Sequence, residues 1–263
     1  MAGSYKRPGR VLGQPSGMSF HPTRVLVTGG TSGIGAHLVC LLAEQGALVA
    51  TCGRDPDRLA ETTRQRGVTG WITDLADPGS TAALVADTVV ALGGLDLVVA
   101  NAAVQHRQSF TGGWTAADSA AALTEVHTNL VGPVVLAAAA WPHLRRSGGV
   151  FTALTSALAY SPKKSAPVYC ASKAGLGVFL RALRYQWQDA DAAVTVQEAL
   201  MPLVATPMTA GRDDGAMPAE QAARQILTGI ARRVPVIPVG RARPFRVIHR
   251  LAPRITDAML RDS

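Results

Sequence analysis

Thr28-Gly29-Gly30-Thr31-Ser32-Gly33-Ile34-Gly35 separates two stretches of different periodicity. Before it, residues 24–28 (RVLVT) read as a buried strand. After it, residues 35–45 place Leu38, Leu41 and Leu42 on one helical face, and Gly46 ends the pattern. A strand, a glycine turn and a helix in that order form a cradle for phosphate. The glycines permit the tight turn, let the backbone approach a pyrophosphate and let helix and strand pack closely. The helix N-terminus then offers free N–H groups and the positive end of its dipole. Gly29, Thr31, Ser32, Gly33 and Ile34 are therefore candidate dinucleotide-binding residues.

The same alternation continues outward. Apolar runs at 47–52, 68–73, 95–100, 149–155, 194–200 and 234–239 read as strands. Helical patterns occupy 58–65, 80–92, 117–146, 168–188 and 219–232. Near-continuous apolar strands separated by helices predict an α/β fold, a doubly wound parallel sheet of seven strands in a single domain. Such sheets bind ligands in the crevice at the carboxyl ends of the strands. Gly53 and Arg54 follow the second strand, where an acidic residue would select NAD by its ribose hydroxyl. Arg54 can pair with a 2′-phosphate instead, so NADP(H) is favoured over NAD(H). Asp55, one residue on, reads as a helix cap. Asp74 and Leu75 end the third strand and are candidates for the adenine side. Asn101 and Ala102 end the fourth, where small residues let the backbone approach a ribose.

Composition narrows the classes. With 263 residues and 48% hydrophobic content the chain can bury one sizeable core. The net charge is +8, and arginines crowd the last segment: Arg232, Arg233, Arg241, Arg243, Arg246, Arg250 and Arg254. No zinc-finger spacing or RNP-like aromatic run accompanies that charge, which argues against nucleic acid. Three cysteines, Cys40, Cys52 and Cys170, lack regular spacing, so neither a disulfide framework nor a metal site is expected. Residues 1–17 are polar and basic without the apolar stretch of a secretory signal, and Met18 offers an alternative start. No run of about 20 apolar residues suggests a membrane span, and a cytoplasmic location is the default. The expected division is a flexible extension at 1–20, the main domain at 21–240, and a basic helical tail at 241–263 packed on it. An amphipathic membrane-surface role for residues 244–260 is a secondary reading.

The chemistry concentrates in Tyr169-Cys170-Ala171-Ser172-Lys173. Spacing of four puts a phenol and an ammonium on one helical face. A nearby ammonium favours phenolate, lowering a tyrosine pKa from about 10 toward working pH. Such a tyrosine can exchange a proton with a carbonyl or carbinol oxygen. Ser156 lies 13 residues upstream, at the end of an apolar run.

Together these residues resemble the short-chain dehydrogenase/reductase family. The resemblance runs over roughly 24–239. It rests on T-G-x-x-x-G-x-G at 28–35, N-x-A at 101–103, Asn129, Ser156 and Y-x-x-x-K at 169–173. It implies a Rossmann fold and a nicotinamide-dependent oxidoreductase acting on a small carbonyl or alcohol substrate. It assigns Tyr169 as proton donor in reduction and base in oxidation, and Ser156 as a hydrogen-bond partner of the substrate oxygen. Lys173 lowers the tyrosine pKa and holds the nicotinamide ribose, Asn129 anchors a water linking Lys173 to solvent, and Pro202 and Thr206 border the nicotinamide. A homodimer or homotetramer is implied, built on the helices at 117–146 and 168–188. Four positions depart from the pattern: Ala100 stands where the family has asparagine, Ala103 and Leu203 where it has glycine, and Ser32 where NADP-using members often carry a basic residue. The tail bears a looser likeness to a bacterial oxidoreductase subgroup.

Specificity is expected from 104–114, 157–168 and 203–217, the last reading as a lid with Gly211 and Gly215. Lys163, Lys164, His106 and Arg107 in these stretches would suit an anionic or carrier-linked substrate. Imine reduction or redox epimerisation would use similar residues. A non-catalytic NADP-binding scaffold is the alternative of another class, against which the retained Tyr169 and Lys173 argue.

Overall fold

The computed structural model describes residues 24–190, 193–211 and 214–262. The expected extension at 1–20 and the alternative start at Met18 lie outside the described residues.

The chain opens with β1 (Arg24–Thr28), α1 (Gly33–Glu44), β2 (Leu48–Gly53), α2 (Pro56–Thr63), β3 (Val68–Ile72), α3 (Pro78–Leu92) and β4 (Leu97–Ala100). It continues with α4 (Ala116–Val126), α5 (Gly132–Ser147), β5 (Val150–Ser156), α6 (Pro167–Asp189) and β6 (Thr195–Met201). The short strands β7 (Val204–Ala205) and β8 (Met217–Pro218) precede α7 (Ala219–Ala231), β9 (Val236–Pro238), α8 (Ala242–Leu251) and α9 (Pro253–Leu260). Seven strands pair in the order β3-β2-β1-β4-β5-β6-β9, all parallel. The order reverses between β1 and β4, and that reversal opens a crevice at their carboxyl ends.

Why the strands read as unbroken apolar runs is visible in their packing. Val25 and Val27 of β1 join a core with residues of α1 and α7, whereas Leu26 between them joins the core under α3, α5 and α6. β4 divides the same way: Leu97 and Val99 face one layer, Val98 and Ala100 the other. Alternate residues serve opposite faces, so neither face can be polar.

Capping sets the helix starts. Asp55 accepts from the N–H groups of Asp57 and Arg58 ahead of Pro56, and Asp77 accepts from Gly79 and Ser80 ahead of Pro78. Thr115 and Asp118 form a reciprocal capping box on α4. Gly93 and Gly148 end α3 and α5 with φ of 70° and 61°, in the left-handed region open to glycine.

Three features differ from the sequence expectation. The helix expected over 117–146 runs as α4 and α5 joined by a π-helical turn, His127–Val131. Apolar periodicity does not register one widened turn, because the pattern resumes after it. A two-stranded sheet, β7 with β8, ties the two ends of the 203–217 segment. The tail is two helices broken at Ala252-Pro253, since proline cannot continue a helix. Among the described residues, one helix, Ala116–Ser147, is long and apolar enough by length and composition to cross a membrane. Its two halves pack against α3 and α6.

The closest backbone approach under the glycine turn is at Gly35, where an added Cβ would lie 2.1 Å from the Gly29 carbonyl oxygen. Backbone cannot yield as a side chain does. Gly35→Ala is expected to destabilise the protein by about 2 kcal/mol, lowering its melting point by roughly 4–8 °C, and to weaken dinucleotide binding. An unchanged melting point would show that α1 can shift without consequence.

Candidate active site

The glycine turn is held from both sides. Gly29 and Gly33 have φ of 66° and 53°. Thr51 of β2 accepts from the Gly30 N–H at 3.1 Å and donates to the Val27 carbonyl at 2.7 Å. From β4, the Asn101 side-chain amide donates to Thr28 O at 2.8 Å and Gly29 O at 3.3 Å, while Thr28 Oγ1 accepts from the Asn101 and Ala102 N–H groups. The Asn101 side chain thus locks the turn. Ser32 precedes α1 in an extended conformation and makes no capping hydrogen bond, so the first N–H groups of the helix face an open cradle.

The turn borders one cleft of about 430 Å³ at the carboxyl edge of the sheet. Gly29, Thr31, Ser32, Gly33 and Ile34 form its floor with Gly53. Arg54, Asp74 and Leu75 border it at β2 and β3, and Asn101 and Ala102 at β4. Arg54 is exposed, and among the described residues its guanidinium makes no ion pair. Asp74 does not cap α3, a role that Asp77 fills; its carboxylate accepts from the Ala76 N–H. Pro202 and Thr206 complete the wall beyond β6, beside Leu203. The Thr206 side chain packs against Gly33 and so joins the far wall to the glycine turn.

Ser156, Tyr169 and Lys173 line the same cleft. Ser156 is the last residue of β5, and its hydroxyl oxygen accepts from the Leu158 N–H at 3.2 Å, starting the turn Ala157–Ala159. Lys173 is buried in α6; its Nζ donates to the Leu154 carbonyl at 2.9 Å and stands 5.9 Å from the centre of the Tyr169 ring. Burial lowers the ammonium pKa to about 8, because a low-dielectric site disfavours the charged form.

Asn129 is the one catalytic candidate that does not line the cleft. It is fully buried in the π turn, and its side chain is engaged within the protein. The amide nitrogen donates to Val104 O and Ser172 Oγ, and Oδ1 accepts from the Val104 N–H. Ser172 in turn donates to the Tyr169 carbonyl at 2.8 Å. Asn129 therefore ties the loop after β4 to the helix that carries Tyr169 and Lys173.

Of the four cationic candidates for substrate contact, Lys163 lines the cleft and is buried. Lys164 pairs with Asp262, the backbone N–H of His106 donates to Glu125, and Arg107 stands outside the cleft. Sequence reasoning missed Glu125, fully buried and accepting also from Gln108 Nε2. Burial raises its carboxyl pKa, against the lowering effect of the His106 N–H and Gln108. It also missed Leu260, which reaches the cleft from α9. No local signal marks either, since Glu125 meets the loop after β4 and Leu260 the cleft through tertiary packing. The tail is bound to the site loop by Ser161 Oγ donating to Thr256 Oγ1 and by the Lys164 N–H donating to Arg261 O.

The short chain dehydrogenase family model matches residues 23–216. Uncharacterized oxidoreductase DltE of Bacillus subtilis is 36% identical over 191 residues, covering 72% of this chain and 74% of that protein. The 11-beta-hydroxysteroid dehydrogenase-like 2 protein of Arabidopsis thaliana is 35% identical, over 70% of this chain and 60% of its own length. Among solved structures, a short chain dehydrogenase from Burkholderia cenocepacia in complex with NADP superposes with a TM-score of 0.73 at 26% identity, covering 81% of this chain and 92% of that one. A short chain dehydrogenase/reductase from Burkholderia phymatum in complex with NAD has the same fold, with a TM-score of 0.79 at 19% identity over 90% of this chain and 96% of that one. With nearly three quarters of its length matched by the family model and by relatives above 30% identity, the chain belongs to the short chain dehydrogenase family.

Proposed function

We propose that this oxidoreductase uses NADP(H) to interconvert a ketone or aldehyde and its alcohol, with Tyr169 transferring the proton. The observation that carries the reading is the convergence of Ser156, Tyr169 and Lys173 on the cleft that the glycine turn and Arg54 also line.

The cleft fits a dinucleotide. Gly29, Gly33 and the uncapped start of α1 suit a pyrophosphate, and Arg54 suits a 2′-phosphate by charge and by its planar fork. Asp74 and Leu75 border the adenine side, Asn101 and Ala102 the ribose side, and Pro202 and Thr206 the nicotinamide side. When bound, the nicotinamide supplies or accepts the hydride. The rest is the work of this chain. The Ser156 hydroxyl donates a hydrogen bond to the carbonyl oxygen and holds it toward Tyr169. Tyr169 gives that oxygen its phenolic proton in reduction and takes it back in oxidation. Lys173 supports the phenolate electrostatically and anchors the nicotinamide ribose. Asn129 acts through position, holding α6 and the loop at Val104 in register.

Two names support this reading: a hydroxysteroid dehydrogenase-like protein among the relatives and an NADP complex among the structures. The homodimer or homotetramer implied by the resemblance would use α4, α5 and α6, where Leu123, Val178 and Tyr185 are exposed.

Fluorescence titration is expected to give tighter binding of NADPH than of NADH. Arg54→Ala should weaken NADPH about tenfold to a hundredfold and leave NADH unchanged. Equal losses for both would remove Arg54 from 2′-phosphate recognition. On a panel of ketones and aldehydes, Tyr169→Phe should lower turnover at least about a hundredfold while keeping NADPH binding. Retained turnover would sink the proton-transfer role.

Lys173 also makes a linkage prediction. Its folded pKa of about 8 lies below the ordinary 10.5, so between these values the unfolded chain binds more protons. Stability from this group therefore rises with pH across that window, and the burial cost is complete below it. Relative to Lys173→Met, the ligand-free wild type should gain about 3 kcal/mol between about pH 8 and 10.5 in denaturant unfolding. Parallel pH profiles would show that the Lys173 ammonium is not desolvated in solution.

A further inference from the structure

We propose that the α8–α9 hairpin is a docking surface for an anionic phospholipid bilayer. The hairpin meets the body of the protein through a few residues. Ala242 and Thr256 are buried, the Tyr160 ring meets His249 edge-on, and Leu260 turns inward to line the cleft. Val247, Leu251, Ile255 and Met259, four residues apart in sequence, turn away from these contacts and are 58%, 79%, 56% and 63% exposed. Spacing of four places Val247 with Leu251, and Ile255 with Met259, on one side of each helix. Ile248 widens the stripe on α8.

The charge beside the stripe identifies the occupant. Arg243, Arg246 and Arg250 fall within about 100° of Val247 on one flank of α8, by helical geometry, and Arg254 falls likewise beside Ile255 on α9. All four are exposed. Between 241 and 262 every cation other than histidine is arginine, and the acids are Asp257 and Asp262, the latter paired with Lys164. Guanidinium forks match phosphate geometry and are weakly hydrated. Nucleic acid would satisfy the arginines but leave Leu251, Ile255 and Met259 in water. A bilayer of anionic phospholipids satisfies both, with arginines at the phosphates and the apolar stripe below them. Because Met259 faces outward and Leu260 lines the cleft, the docking face and the site share one segment.

The test is co-sedimentation of the full chain with phosphatidylcholine vesicles, with and without phosphatidylglycerol. Binding is expected only where phosphatidylglycerol is present, and it should weaken with salt. Leu251→Glu with Ile255→Glu should lower partitioning at least about tenfold, and Arg250→Gln with Arg254→Gln about twentyfold. Both double variants change exposed side chains, and unchanged NADPH binding would show that each is folded. Vesicle binding independent of phosphatidylglycerol, or unaffected by either double variant, overturns the proposal. So does a solution dimer that Leu251→Glu with Ile255→Glu splits, which would assign this face to a second copy of the chain.

Discussion

A parallel sheet covered on both faces leaves its backbone accessible only at the strand ends, and everything in this molecule follows from that constraint. Each strand contributes alternate side chains to two separate cores, so no polar group can be presented from mid-strand without loss. Chemistry is therefore pushed to the carboxyl edge. There the strand order reverses and adjacent connections leave on opposite sides of the sheet. Thr28, Gly53, Asn101, Ser156 and Pro202 sit at or just beyond that edge, each from a different strand. The crosslinks from Asn101 and Thr51 to the glycine turn keep the crevice open by hydrogen-bonding its backbone to its neighbours.

Charge at this edge is handled in two ways. Arg54 keeps its guanidinium in water at the rim, where an anion can reach it at little desolvation cost. Lys173 lies under the cleft, buried, with one carbonyl as its hydrogen-bond partner, and burial brings its pKa to about 8. A lysine held there spends stability to keep a cation near the Tyr169 ring. That conflict between local stability and charge placement is typical of sites built for proton transfer. The π turn at Asn129 belongs to the same economy of position. A widened turn changes which side chains leave the helix on one face, and here it lets a buried amide bind both the Val104 backbone and Ser172.

Beyond β9 the chain folds back across the site. Ser161, His249 and Thr256 bind the hairpin to the loop before α6, and Leu260 reaches the cleft. The segment between β6 and α7 is pinned at its ends by β7 and β8, with Leu203 O accepting from the Met217 N–H. Two connections of different origin thus border one entrance.

The seven parallel strands, the helix that follows each turn and the crevice at the carboxyl edge were legible in the chain, because a doubly covered sheet forces long apolar runs and glycine turns that few other folds need. Of the candidate catalytic and cofactor-binding residues, all but Asn129 line one cleft. Asp55 caps α2, as its place before Pro56 implies. What sequence could not show is what depends on distance in space. The π turn is one extra residue in a pattern that otherwise continues. Leu260 touches the site, and Glu125 the loop after β4, only because the tail and α4 pack there. Among four basic residues in two loops, the fold buries Lys163 in the cleft and sends Lys164 to Asp262. Periodicity and turn chemistry are local, so the sequence alone determined the elements and the order of the motifs. Which face of each loop meets the cleft is set by packing between residues far apart in the chain, and only the tertiary structure decided it.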